Sequence, residues 1–299
     1  MCERVQGDKL DGSQADNALW DDYYTSESSD EIFWHHERDI PRLAQKYNVD
    51  NAFGRFIWRC TEHPVRTYEL IDSIDGLRIL EIGCGEGGFS AGLIMRNHEQ
   101  QFIFYAIDYS PVALMHTEQK LRRLGIQDRC LLGTADAMNL PFRDNAFDVV
   151  VAPSVIEHIS DHTKVIAELS RVCASGGRIV ISTDNVYGWP ASISLHLVFV
   201  IGGKVLRALG ILHRPPILVK ESDPEVLSTS FSECGVDMET IEFTHFATPF
   251  FGGFLKAVGW LPHALQSVVL SILQFLEDWS RHSTKGRLHP MFIYVGRRR

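Results

Sequence analysis

Between Leu77 and Phe89 an apolar strand-like run breaks directly into glycines, and few architectures accommodate that combination. Leu77, Ile79, Leu80 and Ile82 have the continuous hydrophobicity of a strand buried on both faces of a parallel sheet. Gly83, Gly85 and Gly87 admit positive φ and carry no Cβ, so the backbone can turn sharply and approach a ligand closely. The residues from Gly88 to about Asn97 predict a helix whose first N–H groups face the same crevice. Strand, glycine loop and helix together describe a nucleotide-type site. The spacing Gly83-x-Gly85-x-x-Gly88 also satisfies the dinucleotide fingerprint. Glu81, however, places a carboxylate two residues ahead of the first glycine, which suits a cationic or polyhydroxyl ligand better than a pyrophosphate. A glycine turn holding no ligand is the remaining reading of this stretch alone.

Beyond the loop, strand and helix alternate. Phe102 to Ile107 predicts a second strand ending in Asp108. Ser110-Pro111 supplies an N-cap and a first-turn proline for a helix that Gly125 stops. Further strands are expected at Cys130–Leu132, Phe147–Ala152 and Arg178–Thr183, with a helix over 163–174 before Gly176-Gly177. A helix at 224–234, a strand at Glu239–Thr244 and a final strand at Met291–Val295 complete the series. Such a succession requires a parallel sheet with helices on both faces. Ahead of it, 31–74 reads as helices, with Pro64 near a helix start. These either fold over the ligand or pack plainly on the sheet.

Composition narrows the function classes. A net charge of −9 without a long basic run argues against a nucleic-acid partner, and Arg297, Arg298 and Arg299 read as a solvated tail. The six cysteines show no metal-ligand spacing, as expected of reduced thiols in a cytoplasmic protein. The N-terminal segment has no signal-peptide pattern, and no stretch reaches the ~18 uninterrupted apolar residues of a membrane span.

Asp108, about twenty residues past the glycines, is placed to accept hydrogen bonds from two ribose hydroxyls, which serves NAD and SAM (S-adenosylmethionine) alike; a helix-capping role is the alternative. Two more stretches carry the pattern onward: Ala135-Asp136-Ala137 with Leu140-Pro141-Phe142, then Phe147-Asp148-Val149-Val150-Val151-Ala152-Pro153-Ser154-Val155-Ile156-Glu157-His158. With Glu81-x-Gly83-x-Gly85-x-Gly87, Asp108 and Leu169-Ser170-Arg171-Val172 before Gly176-Gly177, they resemble the class I SAM-dependent methyltransferases, nearest the branch of quinone and small-molecule enzymes. The likeness covers about 75–183.

That resemblance implies an α/β Rossmann-like, seven-stranded, mostly parallel sheet with its last strand antiparallel, and SAM across the carboxyl ends of the first four strands. It implies cofactor contacts from Glu81, Gly83, Cys84, Gly85 and Gly87 on the methionine side and Asp108 at the ribose. Tyr109 would pack on the adenine, Asp136 and Ala137 would meet its edge, and Pro153 would close the floor. His158 is the candidate general base, with a structural Glu-His turn as the competing reading. Some relatives in this branch carry a further glutamate three residues before the Glu-His; Ser154 stands there, so no metal is expected. The branch favours O-methylation over C- or N-methylation.

The expected organisation is an acidic tail (1–30), N-terminal helices (31–74), the core (75–183), a first insertion (184–222), a core helix and strand (223–245), a second insertion (246–288) and the last strand with its basic tail (289–299). Both insertions are rich in large apolar residues and leave the sheet at its ligand edge, so a helical lid over a lipophilic small-molecule acceptor is expected. Leu265, Val268, Val269, Ile272, Leu273 and Leu276 share one helix face, which is expected to point inward. Loose contact with a membrane surface, or a homodimer interface, are the other fates of that apolar surface. A catalytically silent SAM-fold assembly or regulatory protein is the alternative function, and SAM chemistry other than methyl transfer a third.

Overall fold

The apolar run after Leu77 forms β1 (Arg78–Ile82), in which every residue after Arg78 is buried. That burial is possible because β1 lies between two parallel neighbours, β2 (Ile103–Asp108) and β4 (Phe147–Pro153). The computed structural model describes residues 63–71, 74–187, 222–243 and 291–299, together with 262, 265, 267–269, 271, 272 and 275. Among them one sheet has the order β3-β2-β1-β4-β5-β7-β6, where β3 is Leu131–Thr134, β5 is Cys173–Asp184, β6 is Val236–Phe243 and β7 is Met291–Arg298. β1 to β5 run parallel, and β7 is antiparallel to both β5 and β6, as the resemblance implies.

Helices cover both faces, and their ends follow local chemistry. α1 (His63–Ile71) precedes the sheet and α2 (Gly88–Arg96) springs from the glycine loop. α3 (Pro111–Leu124) is capped by the Ser110 hydroxyl and ended by Gly125 in the left-handed conformation. α4 (His162–Val172) is capped by Asp161 and buries Val165, Ile166, Leu169 and Val172 against one face. α5 (Pro224–Glu233) is capped by Asp223, and its Phe231 stacks on Tyr294 of β7. The opposite face is covered by α2 and α1, where Tyr68 meets Phe89 with ring centroids 4.8 Å apart. Plain packing on the sheet, rather than closure over a ligand, is therefore what α1 does.

Three expectations are corrected. β5 begins at Cys173, ahead of the expected Arg178, because the chain leaves α4 directly in extended conformation and pairs Cys173 with Phe147. β6 starts three residues before Glu239 for a similar reason: Gly235, at φ 79°, reverses the chain immediately after α5. The basic end is not a solvated tail, since β7 continues through Arg298. Arg297 donates to Glu239 and to the Gly176 carbonyl, and Arg298 donates to the Cys234 carbonyl. Hydropathy stops at Val295, but backbone pairing with β6 does not.

Of the second insertion, residues 265, 267–269, 271, 272 and 275 are helical. Leu265, Val268 and Ile272 are more than half exposed, as is Phe275, and Val269 is half-buried, so the described part of this stripe does not pack inward as expected; Leu273 and Leu276 lie outside the described residues. Periodicity identifies an apolar face but does not say what covers it. No helix among the described residues is long and apolar enough to cross a membrane. The acidic tail 1–30, the helices expected over 31–62, positions 188–221 and the Phe251–Phe254 stretch lie outside the described residues.

Candidate active site

β1 delivers a glycine loop that only glycine can form. Gly83, Gly85 and Gly87 have φ of 67°, 53° and 72°. A Cβ on Gly83 would lie 2.5 Å from Val155 Cγ2, and one on Gly87 would lie 2.7 Å from Thr117 Cγ2. The loop is thus wedged between the segment leaving β4 and the middle of α3.

Asp108, at the end of β2, fastens this loop. One carboxylate oxygen accepts the Gly85 N–H at 2.8 Å and the other accepts the Ser110 N–H at 2.9 Å. The buried Thr117 hydroxyl donates to the Gly85 carbonyl at 2.7 Å, a support that sequence reasoning missed because nothing in an interior helical threonine announces it. Glu81 is buried at the root of the loop and accepts the Ser90 hydroxyl. Burial pushes its carboxyl up to about 8; the Ser90 bond pulls down, and the Asp108 charge adds to the rise.

The remaining predicted residues fall along the same edge. Asp136 follows β3 in a tight turn, where one carboxylate oxygen accepts the Met138 N–H at 2.8 Å and the backbone carbonyl accepts the Asn139 N–H. Its second carboxylate oxygen has no partner among the described residues. Tyr109 is half-buried beside Asp108, while Ala137 and Pro153 are buried. Cys84 departs from the set, because its thiol lies in the core under α2 and α3. Its N–H is bonded to the Ile107 carbonyl and its own carbonyl to the Gly87 N–H. Desolvation holds that thiol far above its ordinary range, so it is inert.

Beyond β4, Ser154 adopts φ 54°, its N–H held by the Ser182 carbonyl at 2.9 Å. The short turn Ile156–His158 then buries Glu157 and leaves His158 half-buried. Glu157 accepts the Thr183 hydroxyl at 3.0 Å; burial, with the Asp184 charge behind it, pushes its carboxyl up to about 8. Next to it the two ends of the first insertion meet: Asn185 and Ser222 form a β-bridge, and Tyr187 donates to Asp223. In sequence the Glu-His pair draws attention to its histidine; in the structure the carboxyl is the buried partner.

These two carboxyls set a pH dependence. Each keeps its proton in the folded state to about 8 and loses it near 4.5 when unfolded, so the folded state binds more protons in that window. Stability of the ligand-free protein should fall as pH rises from 5 to 8, by at most ~1.4 kcal/mol per pH unit for each group. Asp148 and Glu168, lowered by their arginine partners, act with the opposite sign only in more acidic solution. Denaturant unfolding at several pH values measures the slope, and Glu81→Gln should reduce it. An unchanged slope in that variant would place the proton elsewhere.

Residues 80–181 match the family model described as a methyltransferase domain. Over these residues the chain carries a methyltransferase domain of the class I SAM-dependent type. Among curated relatives, the chain is 30% identical over 143 residues to phosphatidylethanolamine N-methyltransferase of Cereibacter sphaeroides, covering 48% of this chain and 66% of that one. It is 32% identical over 121 residues to methyltransferase GfsG of Streptomyces halstedii, covering 40% and 42%. The chain therefore spans less than two thirds of either relative. Among solved structures its fold is similar to that of geranyl diphosphate C-methyltransferase from Streptomyces coelicolor A3(2), with TM-score 0.59 at 14% identity over 97% of this chain and 100% of that one. It is also similar to that of the cyclase SpnF, with TM-score 0.57 at 18% identity over 96% of both.

Proposed function

We propose that the chain binds SAM along the carboxyl ends of β1 to β4 and transfers its methyl group to a small, lipophilic acceptor, with oxygen as the accepting atom. The observation that carries this reading is the union of Asp108 with the glycine loop. A carboxylate bonded to Gly85 stands where a nucleoside's sugar would meet the loop, and the missing Cβ atoms of Gly83 and Gly87 let Val155 and Thr117 pack against the loop and hold its shape. The unbonded oxygen of Asp136 suits an exocyclic amine, and Glu81, protonated at the root of the loop in the ligand-free protein, is a carboxyl whose ionised form a bound sulfonium or ammonium group would favour.

When bound, SAM supplies an electrophilic methyl on a positively charged sulfur. The protein's part is alignment and exclusion of water. Gly83, Gly85 and Gly87 set how closely the loop approaches, and Pro153 and Val155 form the adjoining wall. His158 is the candidate base for an acceptor that must lose a proton, half-buried in the turn beyond β4.

A lipophilic acceptor is supported by the two apolar insertions and by the names of relatives that act on phosphatidylethanolamine, tocopherol and geranyl diphosphate. Those names span N-, O- and C-methylation, so oxygen rests on the likeness to the quinone branch. The shared fold with a cyclase favours keeping a second reading, in which SAM is held without methyl transfer.

Incubation with methyl-13C SAM and a panel of apolar phenols and quinols, in the presence of EDTA, tests the proposal. Labelled product with a methoxy carbon shift is expected, and its loss in EDTA would reverse the metal-free reading. Phe251→Asp or Phe254→Asp should abolish turnover of an apolar acceptor while leaving SAM affinity within about tenfold. SAM binding without label transfer to any acceptor overturns methyl transfer in favour of the second reading.

A further inference from the structure

β1 is flanked by β2 and β4, and strand alternation puts Glu81 on the same face as Ile79, beneath α2. The residue is only 1% exposed. One carboxyl oxygen is bonded to the hydroxyl of Ser90, itself buried on α2, and no lysine, arginine or histidine pairs with Glu81 among the described residues. The titratable groups that act on it all become negative when they ionise: Asp108 at the end of β2, Cys84 in the glycine loop and Cys130 just ahead of β3. On the other side β4 sets the apolar Val151 beside it.

A buried carboxylate persists where a cation or several donors compensate it, and one hydroxyl beside a second carboxylate does not. Glu81 is therefore neutral in the ligand-free protein, which agrees with the rise of its carboxyl to about 8. Stability does not explain such a residue, because an apolar side chain in the same place would cost the fold less. Position does explain it. Only Ile82 separates Glu81 from Gly83, so the carboxyl lies at the root of the loop that the ligand must approach.

Resting on the reading that this crevice takes SAM with its methionine end at the loop, we infer that Glu81 releases its proton to solvent when the ligand's positive charge enters, so that cofactor binding is coupled to proton release. Direct contact is not needed. In a poorly polarisable interior an opposite charge several ångströms away favours the ionised carboxyl through space. SAM brings two such charges, the sulfonium and the α-ammonium. The sign follows from linkage: the ligand-free protein keeps the proton up to about 8, and the loaded protein loses it at lower pH. Binding therefore strengthens as pH rises towards 8 and levels off above it. An opposite charge that lowers the carboxyl pKa by ~1–3 corresponds to about 0.4–0.9 protons released per SAM at pH 7, and to affinity about five- to fiftyfold tighter at pH 8 than at pH 6.

Calorimetry of SAM binding to the full chain, repeated at pH 7 in buffers of different ionisation enthalpy, counts the protons exchanged, and titrations at pH 6, 7 and 8 give the affinity. Glu81→Gln keeps the shape and a partner for the Ser90 hydroxyl but removes the titrating group. It should bind SAM with most of the proton release and most of the rise with pH gone. The ligand's own α-amino group titrates near pH ~8 and contributes to both proteins, so the difference between them isolates Glu81. S-adenosylhomocysteine, which keeps the ammonium and lacks the sulfonium charge, locates the source: equal release assigns it to the ammonium, and lost release to the sulfonium. Should Glu81→Gln fail to fold, infrared difference spectra of the unmodified chain decide, because the C=O stretch of a protonated carboxyl should disappear on adding SAM. SAM binding with equal proton exchange in both proteins, or with that stretch unchanged, overturns the coupling and leaves the cofactor reading standing. Absence of SAM binding by the unmodified chain removes the cofactor reading, and the coupling with it.

Discussion

Replacing Asp108 with alanine is expected to lower SAM affinity about a hundredfold or more. Two hydrogen bonds from a ribose to a charged acceptor are worth ~1.5–3 kcal/mol each, and losing ~3 kcal/mol in total is already more than a factor of one hundred. The structure adds a second cost. Asp108 also holds the Gly85 and Ser110 N–H groups, so its loss frees the glycine loop and the start of α3 together. Alanine should therefore reduce thermal stability as well as affinity. Asparagine, which keeps one carbonyl oxygen for one of the two N–H groups, should recover part of the stability and less of the affinity. Calorimetry on the purified variants measures one quantity and thermal unfolding the other. Unchanged SAM affinity in a folded Asp108→Ala protein would remove the cofactor assignment, and micromolar binding of NAD to the unmodified chain would restore the dinucleotide reading.

The parts of this site legible in sequence are those where backbone geometry dictates residue type. Gly83, Gly85 and Gly87 declare positive φ, Ser110-Pro111 declares a helix start, and Asp108 declares a strand end, because no other common chemistry suits those positions as well. Contacts between distant segments are not legible in the same way. Thr117 braces Gly85 from an α-helix that begins a turn and a half earlier, and its spacing is that of any core threonine. The structural reading of the Glu-His pair names no partner for Glu157, and only β5 supplies one by bringing Thr183 against it. The arginines after Val295 read as a tail because hydropathy sees side chains, whereas β7 is extended by backbone pairing with β6. Periodicity marks the apolar stripe from Leu265 to Ile272 as one face, but burial depends on a partner surface that no periodicity encodes.

Gly87→Ala should be the most damaging single methyl addition in the loop, and Gly125 provides its control. Both glycines are left-handed, at φ 72° and 70°, so each substitution carries the ~1–2 kcal/mol of placing an L-residue there. Their surroundings differ. Around Gly125 nothing lies within 4 Å of an added Cβ, whereas at Gly87 it would meet Thr117 Cγ2 at 2.7 Å, Oγ1 at 2.9 Å and Cα at 3.0 Å. The last of these is backbone and cannot rotate away, so α3 and the loop must separate, adding ~1–3 kcal/mol of overpacking. Separation also stretches the Thr117 bond to the Gly85 carbonyl and draws Gly85 away from Asp108. Gly125→Ala should therefore unfold somewhat more easily and bind SAM within about twofold of the unmodified chain. Gly87→Ala should lose roughly 2–5 kcal/mol of stability and bind SAM at least about a hundredfold more weakly. Adding Thr117→Ser removes the nearest methyl while keeping the hydroxyl, and should restore part of both losses. If Gly87→Ala matches Gly125→Ala in stability and binds SAM normally, the loop yields without disturbing Asp108, and the crevice it lines is not where the nucleoside sits.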